Sequence, residues 1–324
     1  MNFPEYRMRR YRKNEKIRNS MQDISLNPHN FIQPLFVHTG SVDEPIASMP
    51  GIYRYALKNI AKELDKIEDA KIPSVLIFPI PLESEKTPDG KICTSPEGST
   101  AKIIETIAKS NPNLTLFTDL CLCPFTTHGH CGVIKDNKVL NDATLSVLAD
   151  SAVNLANAGA DFIAPSGMMD GMVSAIRKGL DKNNLSSTGI LSYSIKFASN
   201  FYGPFREAAH SSPEFGDRKE YQMDYKSAKQ ILEELRLDIE EGTDAVMVKP
   251  ALPYLDVIKT VRENCNLPLA VYQVSGEYSM LIETEKAGIG TLEKMLDEIF
   301  FAFRRAGADW IISYFASNYC KEHF

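Results

Sequence analysis

Glu241-Gly-Thr-Asp-Ala-Val-Met-Val-Lys-Pro-Ala251 decides how the rest of the chain is read. It closes an amphipathic stretch, Ser227–Glu241, whose apolar residues recur every three to four positions. It then opens an apolar run, Ala245–Lys249. Glycine at a helix C-terminus takes the left-handed cap conformation without a Cβ penalty. The run after it is apolar at consecutive positions rather than alternating, as in a parallel strand buried on both faces. The same punctuation returns in Ala158-Gly-Ala-Asp161 and Ala306-Gly-Ala-Asp309, which marks equivalent helix-to-strand junctions along the chain.

Working outward, the apolar runs Phe31–Val37, Ser74–Ile80, Leu114–Leu120, Asp161–Ser166, Gly189–Ser194, Ala245–Lys249, Leu269–Val274 and Trp310–Phe315 are expected as strands. Helical periodicity falls between them, at Tyr53–Ala70, Ser99–Ser110, Thr144–Ala158, Gly171–Leu180, Ser227–Glu241, Tyr254–Glu263 and Thr291–Ala306. Eight strands alternating with helices in 324 residues predict an α/β fold, a (β/α)8 TIM barrel. A doubly wound open sheet is the alternative. It is disfavoured because no G-x-G-x-x-G follows the first strand.

The barrel occupies 31–324, and residues 1–30 form an extended arm carrying Arg7, Arg9, Arg10, Arg12, Lys13, Lys16 and Arg18. With a net charge of −6 the chain is not a general nucleic-acid binder, so the arm is expected to pack on a neighbouring subunit. No run reaches the length of a membrane span, and the N-terminus lacks a signal-type apolar segment. A cytoplasmic protein is expected. Its six cysteines are then metal ligands or buried small hydrophobes rather than a disulfide framework.

A barrel places its chemistry at the C-terminal ends of the strands. Asp119, Ser166, Lys196, Lys249, Ser275 and Tyr314 all stand at or near such ends. Lys249, at the end of a buried apolar run and before proline, should lose proton affinity through burial, and more so if Lys196 is its neighbour. A neutral amine is the nucleophile that forms a Schiff base with a ketone. In Asp119-Leu-Cys-Leu-Cys-Pro-Phe-Thr-Thr-His-Gly-His-Cys131, three thiolates favour Zn²⁺ over harder cations. The fourth position is left to His128 or His130, or kept open as in catalytic zinc sites. Residues 201–222 are too long for an ordinary βα loop and carry Arg206, Arg218 and Lys219, which suits a lid that clamps a carboxylate.

Together these stretches resemble the porphobilinogen synthase, or 5-aminolevulinate dehydratase, family over essentially the whole chain. The most specific pieces are Tyr193-Ser-Ile-Lys-Phe-Ala-Ser-Asn-Phe-Tyr-Gly-Pro-Phe-Arg206, Gly216-Asp-Arg-Lys-Glu-Tyr-Gln222, Met247-Val-Lys-Pro-Ala-Leu-Pro-Tyr-Leu-Asp256 and Tyr272-Gln-Val-Ser-Gly-Glu-Tyr278. The resemblance implies a lyase of haem and other tetrapyrrole biosynthesis that condenses two 5-aminolevulinate molecules to porphobilinogen with loss of two waters. It implies Schiff bases on Lys249 and Lys196, with Asp119 and Ser166 nearby in orienting or proton-transfer roles. Zinc would sit on Cys121, Cys123 and Cys131, leaving His128 and His130 to shape the loop. One substrate carboxylate would be held by Arg206, Arg218 and Gln222, the other by Ser275 and Tyr314, with Tyr202 and Phe205 beside the substrate. It further implies a homo-octamer or hexamer and an allosteric Mg²⁺ at Glu234.

The chain departs from common family patterns at Gly167 and Met172, and in a basic segment reduced to Lys226 and Lys229. The last departure bears on the Mg²⁺ more than on the chemistry. A class I Schiff-base aldolase on the same barrel is the competing enzyme reading. The second lysine and the three cysteines oppose it.

Overall fold

The computed structural model describes residues 2–324; Met1, the first residue of the expected arm, lies outside the described residues. Eight parallel strands form the barrel: β1 (Phe31–His38), β2 (Ser74–Ile80), β3 (Thr115–Leu120), β4 (Phe162–Pro165), β5 (Gly189–Lys196), β6 (Ala245–Lys249), β7 (Leu269–Gln273) and β8 (Trp310–Ser313). Each pairs with the next, and β8 pairs back onto β1 through Phe31↔Ile311 and Ile32↔Ile312, so the sheet closes. Every residue of β1, β6 and β7 is buried, which accounts for their unbroken apolar runs.

Besides short helices at Glu15–Ser20 and Gly203–Ala208, the helices are α1 (Ala61–Asp69), α2 (Ser99–Ser110), α3 (Asn141–Asn157), α4 (Met172–Lys182), α5 (Ile231–Glu240), α6 (Leu255–Asn264), α7 (Ser275–Lys286), α8 (Leu292–Ala306) and α9 (Ala316–His323).

The Gly-x-Asp junctions do more than end helices. Gly159, Gly242 and Gly307 adopt φ of 108°, 98° and 115°. The aspartate two residues on then clamps its strand to the preceding one. The carboxylates of Asp161, Asp244 and Asp309 accept from the backbone N–H of Leu116, Ile190 and Leu269 at 2.8, 2.8 and 2.9 Å. In return, the three aspartate N–H groups donate to the carbonyls of those same residues. Three reciprocal clamps thus hold β4 to β3, β6 to β5 and β8 to β7 at the N-terminal rim.

Two expectations need correction. Tyr53–Ala70 is not one helix: Tyr53–Ala56 is a short strand beside β1, a 3-10 turn follows at Leu57–Asn59, and α1 begins only at Ala61. Tyr-Arg-Tyr alternates between exposed and buried positions, a strand period that the helical reading overran. The helix α7 was not expected. Its apolar stripe is weak, and Ser275 and Glu277 are buried for other reasons given below.

In the arm, Glu15–Ser20 is a short helix with no buried residue, while Leu26 and the turn Pro28–Asn30 anchor onto the barrel. Asn30 donates to Asp309 O at 3.1 Å. Among the described residues no helix is long and apolar enough to cross a membrane.

Candidate active site

The two lysines meet where β5 and β6 end. Lys249 and Lys196 are direct register partners. The register slips between Val246 and Val248, so that three steps along β5 match two along β6. This bulge alters the side-chain parity of β5, and Tyr193 and Lys196, three positions apart, serve one site. The Lys249 Nζ lies 5.0 Å from the Tyr193 ring centroid and the Lys196 Nζ 5.7 Å.

Lys249 is enclosed by aromatic rings. Besides Tyr193, its Nζ is 4.2 Å from the Tyr272 ring, 5.0 Å from Phe205 and 5.4 Å from Tyr202. Ring faces attract an ammonium. Burial opposes it more strongly, and the Lys196 charge adds to burial, so the amine is pushed down to about 7. Lys196 Nζ donates to the Ser166 carbonyl at 2.5 Å, which fixes its position at the end of β4. Asp119, at the end of β3, is also buried, and burial raises its carboxyl while the two lysine charges pull it down. Its Oδ1 and the Tyr193 hydroxyl have no hydrogen-bond partner among the described residues.

Beyond β3 the chain turns through the cysteine loop. Cys121, Cys123 and Cys131 are buried with their sulfurs all within 4.8 Å of one another, a group that could hold a metal. His128 and His130 turn away from it: His128 Nε2 pairs with Pro88 O at 2.9 Å and His130 Nε2 with Phe215 O at 2.9 Å. The Arg218 guanidinium is close enough to favour the thiolate forms of Cys123 and Cys131. The three sulfurs hold its proton affinity up against burial. Arg218 also donates to Gly129 O and Ser211 O, at 2.9 and 2.5 Å.

The long segment 201–222 covers this end of the barrel. Both of its ends are tied down. Phe197 N–H donates to Lys249 O and Met223 N–H to Lys196 O, each at 3.0 Å, so the segment leaves and rejoins the sheet beside the lysines. Tyr202 donates its hydroxyl to Lys249 O at 3.1 Å. The short helix Gly203–Ala208 within this segment is held by Ser275, whose Oγ accepts from Phe205 N–H at 2.9 Å. Tyr314 pairs its hydroxyl with that of Tyr272 at 3.0 Å. The buried Arg206 Nε, Arg218 Nε and Gln222 Nε2 have no acceptor among the described residues. Buried N–H donors without acceptors are costly, and an anionic group would satisfy them.

Glu234 shares a cavity with Tyr193 and Gln222 of the lysine site. It lies on α5 and lines a cavity of about 650 Å³ with Asp170, Asp238 and Glu241. Burial and those carboxylates raise its pKa to about 7.

Reasoning from residue types missed Tyr193, Tyr272 and Glu277. The tyrosines sit within the quoted motifs, but nothing in their type separates a core ring from one facing an amine. Glu277 is fully buried and accepts from Leu252 N–H and Val274 N–H, each at 2.5 Å. Its place three residues after Val274 has the spacing of a helix-capping carboxylate, and that was the available signal.

The sequence profile described as Delta-aminolevulinic acid dehydratase matches residues 5–322. The chain belongs to the delta-aminolevulinic acid dehydratase family. The family enzyme of Archaeoglobus fulgidus is 46% identical over 321 residues, covering 99% of this chain and 98% of that one. That of Methanothermobacter thermautotrophicus is 47% identical, covering 98% of this chain and 97% of that one. A crystal structure of the Toxoplasma gondii family member, porphobilinogen synthase in complex with the reaction product porphobilinogen, is 40% identical. It superposes with a TM-score of 0.96 over 98% of this chain and 91% of that one.

Proposed function

We propose that the chain condenses two 5-aminolevulinate molecules to porphobilinogen with loss of two waters, through Lys249 and Lys196. Membership of the family makes it a lyase of porphyrin biosynthesis. The observation that carries this reading is the register pairing of the two lysines, with the Lys249 amine pushed down to about 7.

Lys249, its ammonium disfavoured by burial, is a nucleophile at neutral pH. Its amine attacks the ketone of one substrate, water leaves, and a Schiff base results. Lys196, held by Ser166 O, takes the second substrate in the same way. Asp119, with its proton affinity raised by burial, moves protons between the two adducts, and Ser166 orients them. The unsatisfied donors of Arg206, Arg218 and Gln222 receive one substrate carboxylate. Ser275 and Tyr314 receive the other. Tyr202 and Phe205 wall the space between them and exclude water.

Three cysteine sulfurs within 4.8 Å of one another are soft donors that fit Zn²⁺ better than Mg²⁺ or Ca²⁺. Cys121, Cys123 and Cys131 would hold the zinc, which would supply a Lewis acid toward the second substrate. The acidic cavity around Glu234 is the place for an allosteric Mg²⁺. The arm exposes Phe3, Tyr6, Met8, Tyr11 and Met21, apolar surface that a neighbouring subunit would cover, in keeping with a homo-octamer or hexamer. Six free cysteines suit the reducing cytoplasm.

The test is porphobilinogen formation from 5-aminolevulinate before and after chelation. Chelation should abolish turnover, Zn²⁺ should restore it, and the thermal transition should shift little. Turnover that persists at full rate in metal-free protein contradicts the zinc role. Loss of the fold on chelation makes the metal structural instead.

A further inference from the structure

The tip of the cysteine loop, His128-Gly129-His130, touches the lid at more points than a passing contact requires. Glu214 N–H donates to His128 O at 3.1 Å. Arg218 Nη2 donates to Gly129 O at 2.9 Å. His130 Nε2 pairs with Phe215 O at 2.9 Å and its Nδ1 with the Tyr221 hydroxyl at 3.3 Å. Its ring lies 4.6 Å from the Phe215 ring. Gly129 adopts φ of 69°, and a Cβ there would stand 2.3 Å from Ser212 O. Only a glycine lets the two backbones approach so closely.

We infer that this tip is the latch of the lid, with His130 as a positioning residue for the reaction. One tautomer satisfies both of its bonds. Nε2–H donates to the Phe215 carbonyl, and the bare Nδ1 accepts from the Tyr221 hydroxyl. The latch stands on the loop that ends at Cys131, so whatever draws Cys121, Cys123 and Cys131 together also sets where the lid comes to rest. Closing the lid in turn places Arg206, Arg218 and Gln222. The inference rests on the reading of those three as the clamp for a substrate carboxylate.

The experiment uses zinc-loaded, substrate-free protein. Hydrogen exchange is followed in residues 211–222, with metal content read on the same samples and KM and kcat measured separately. His130→Phe keeps a ring against Phe215 and removes both hydrogen bonds. Losing two such bonds should speed lid exchange and raise KM by about tenfold, with kcat changed far less. His130→Gln keeps a donor for Phe215 O and should recover part of the loss. Gly129→Ala drives a methyl into the lid's Ser212 and should loosen the lid as His130→Phe does.

Unchanged lid exchange in His130→Phe with full metal content overturns the latch. Should that variant fail to hold metal, Gly129→Ala decides, and unchanged exchange there overturns it equally. Exchange is read without substrate. A lid that loosens in protein that makes no porphobilinogen therefore leaves the latch standing and removes the proposed function.

Discussion

At the level of single residues, Lys249 shows which effect wins in a crowded site. Four rings within 5.4 Å of its Nζ favour the charged amine, yet burial and the Lys196 charge bring it down to about 7. The sign for stability follows. The folded protein disfavours the ammonium, so the cost is fully present below about 7 and is relieved as pH rises toward the unfolded value. Reactivity follows the same proton. The rate of Schiff-base formation at Lys249 should rise through a midpoint near pH 7. Lys196→Met removes a like charge and should move that midpoint upward. Asp119→Asn removes an opposite charge and should move it downward. The check is the pH profile of borohydride-trapped adduct formation in each variant; a midpoint that stays put in both would show that charge coupling within the site is negligible. The placement of Lys249 and Lys196 was legible because a lysine ending a buried apolar run is unusual, and that of the three cysteines because they crowd into eleven residues after a strand. Tyr193 and Tyr272 were not, since a buried tyrosine is ordinary.

At the level of elements, α7 explains why a helix can escape sequence reading while mattering to the site. Its first turn buries Ser275 and Glu277 rather than an apolar stripe. Ser275 holds the short helix Gly203–Ala208 through Phe205 N–H, and Glu277 joins the start of α7 to the turn after Lys249 through Leu252 N–H. The buried carboxylate is raised to about 7 by burial, against the pull of its backbone donors. Glu277→Gln keeps one acceptor oxygen and leaves a buried backbone N–H unpaired. It should cost about 1–3 kcal/mol of stability, measured by urea unfolding. A variant as stable as the parent would show that the two backbone donors find other partners. Tyr53–Ala56 is the opposite case, a strand that runs into a helical pattern without a break in apolar spacing. Both are elements whose burial pattern is set by a neighbour and not by their own periodicity. The β5 bulge belongs with them: no period in the sequence announces it, yet it brings Tyr193 under the lysines.

At the level of the molecule, the barrel was legible from its punctuation. The glycines of the Gly-x-Asp junctions gave the helix ends. The reciprocal clamps made by Asp161, Asp244 and Asp309 were visible only in three dimensions, since a clamp needs the preceding strand in place. Closure of the sheet by β8 onto β1 fixes the order of strands around the barrel, and with it the adjacency of β5 and β6. The family match over residues 5–322 agrees with an architecture that uses nearly the whole chain for one site. The central claim is that this closed barrel sets two reactive amines side by side to hold two substrates at once. Borohydride reduction in the presence of 5-aminolevulinate, followed by peptide mass spectrometry, tests it most directly. An adduct on Lys249 and a weaker one on Lys196 are expected; no adduct on either lysine would show that the amines do not hold the substrates.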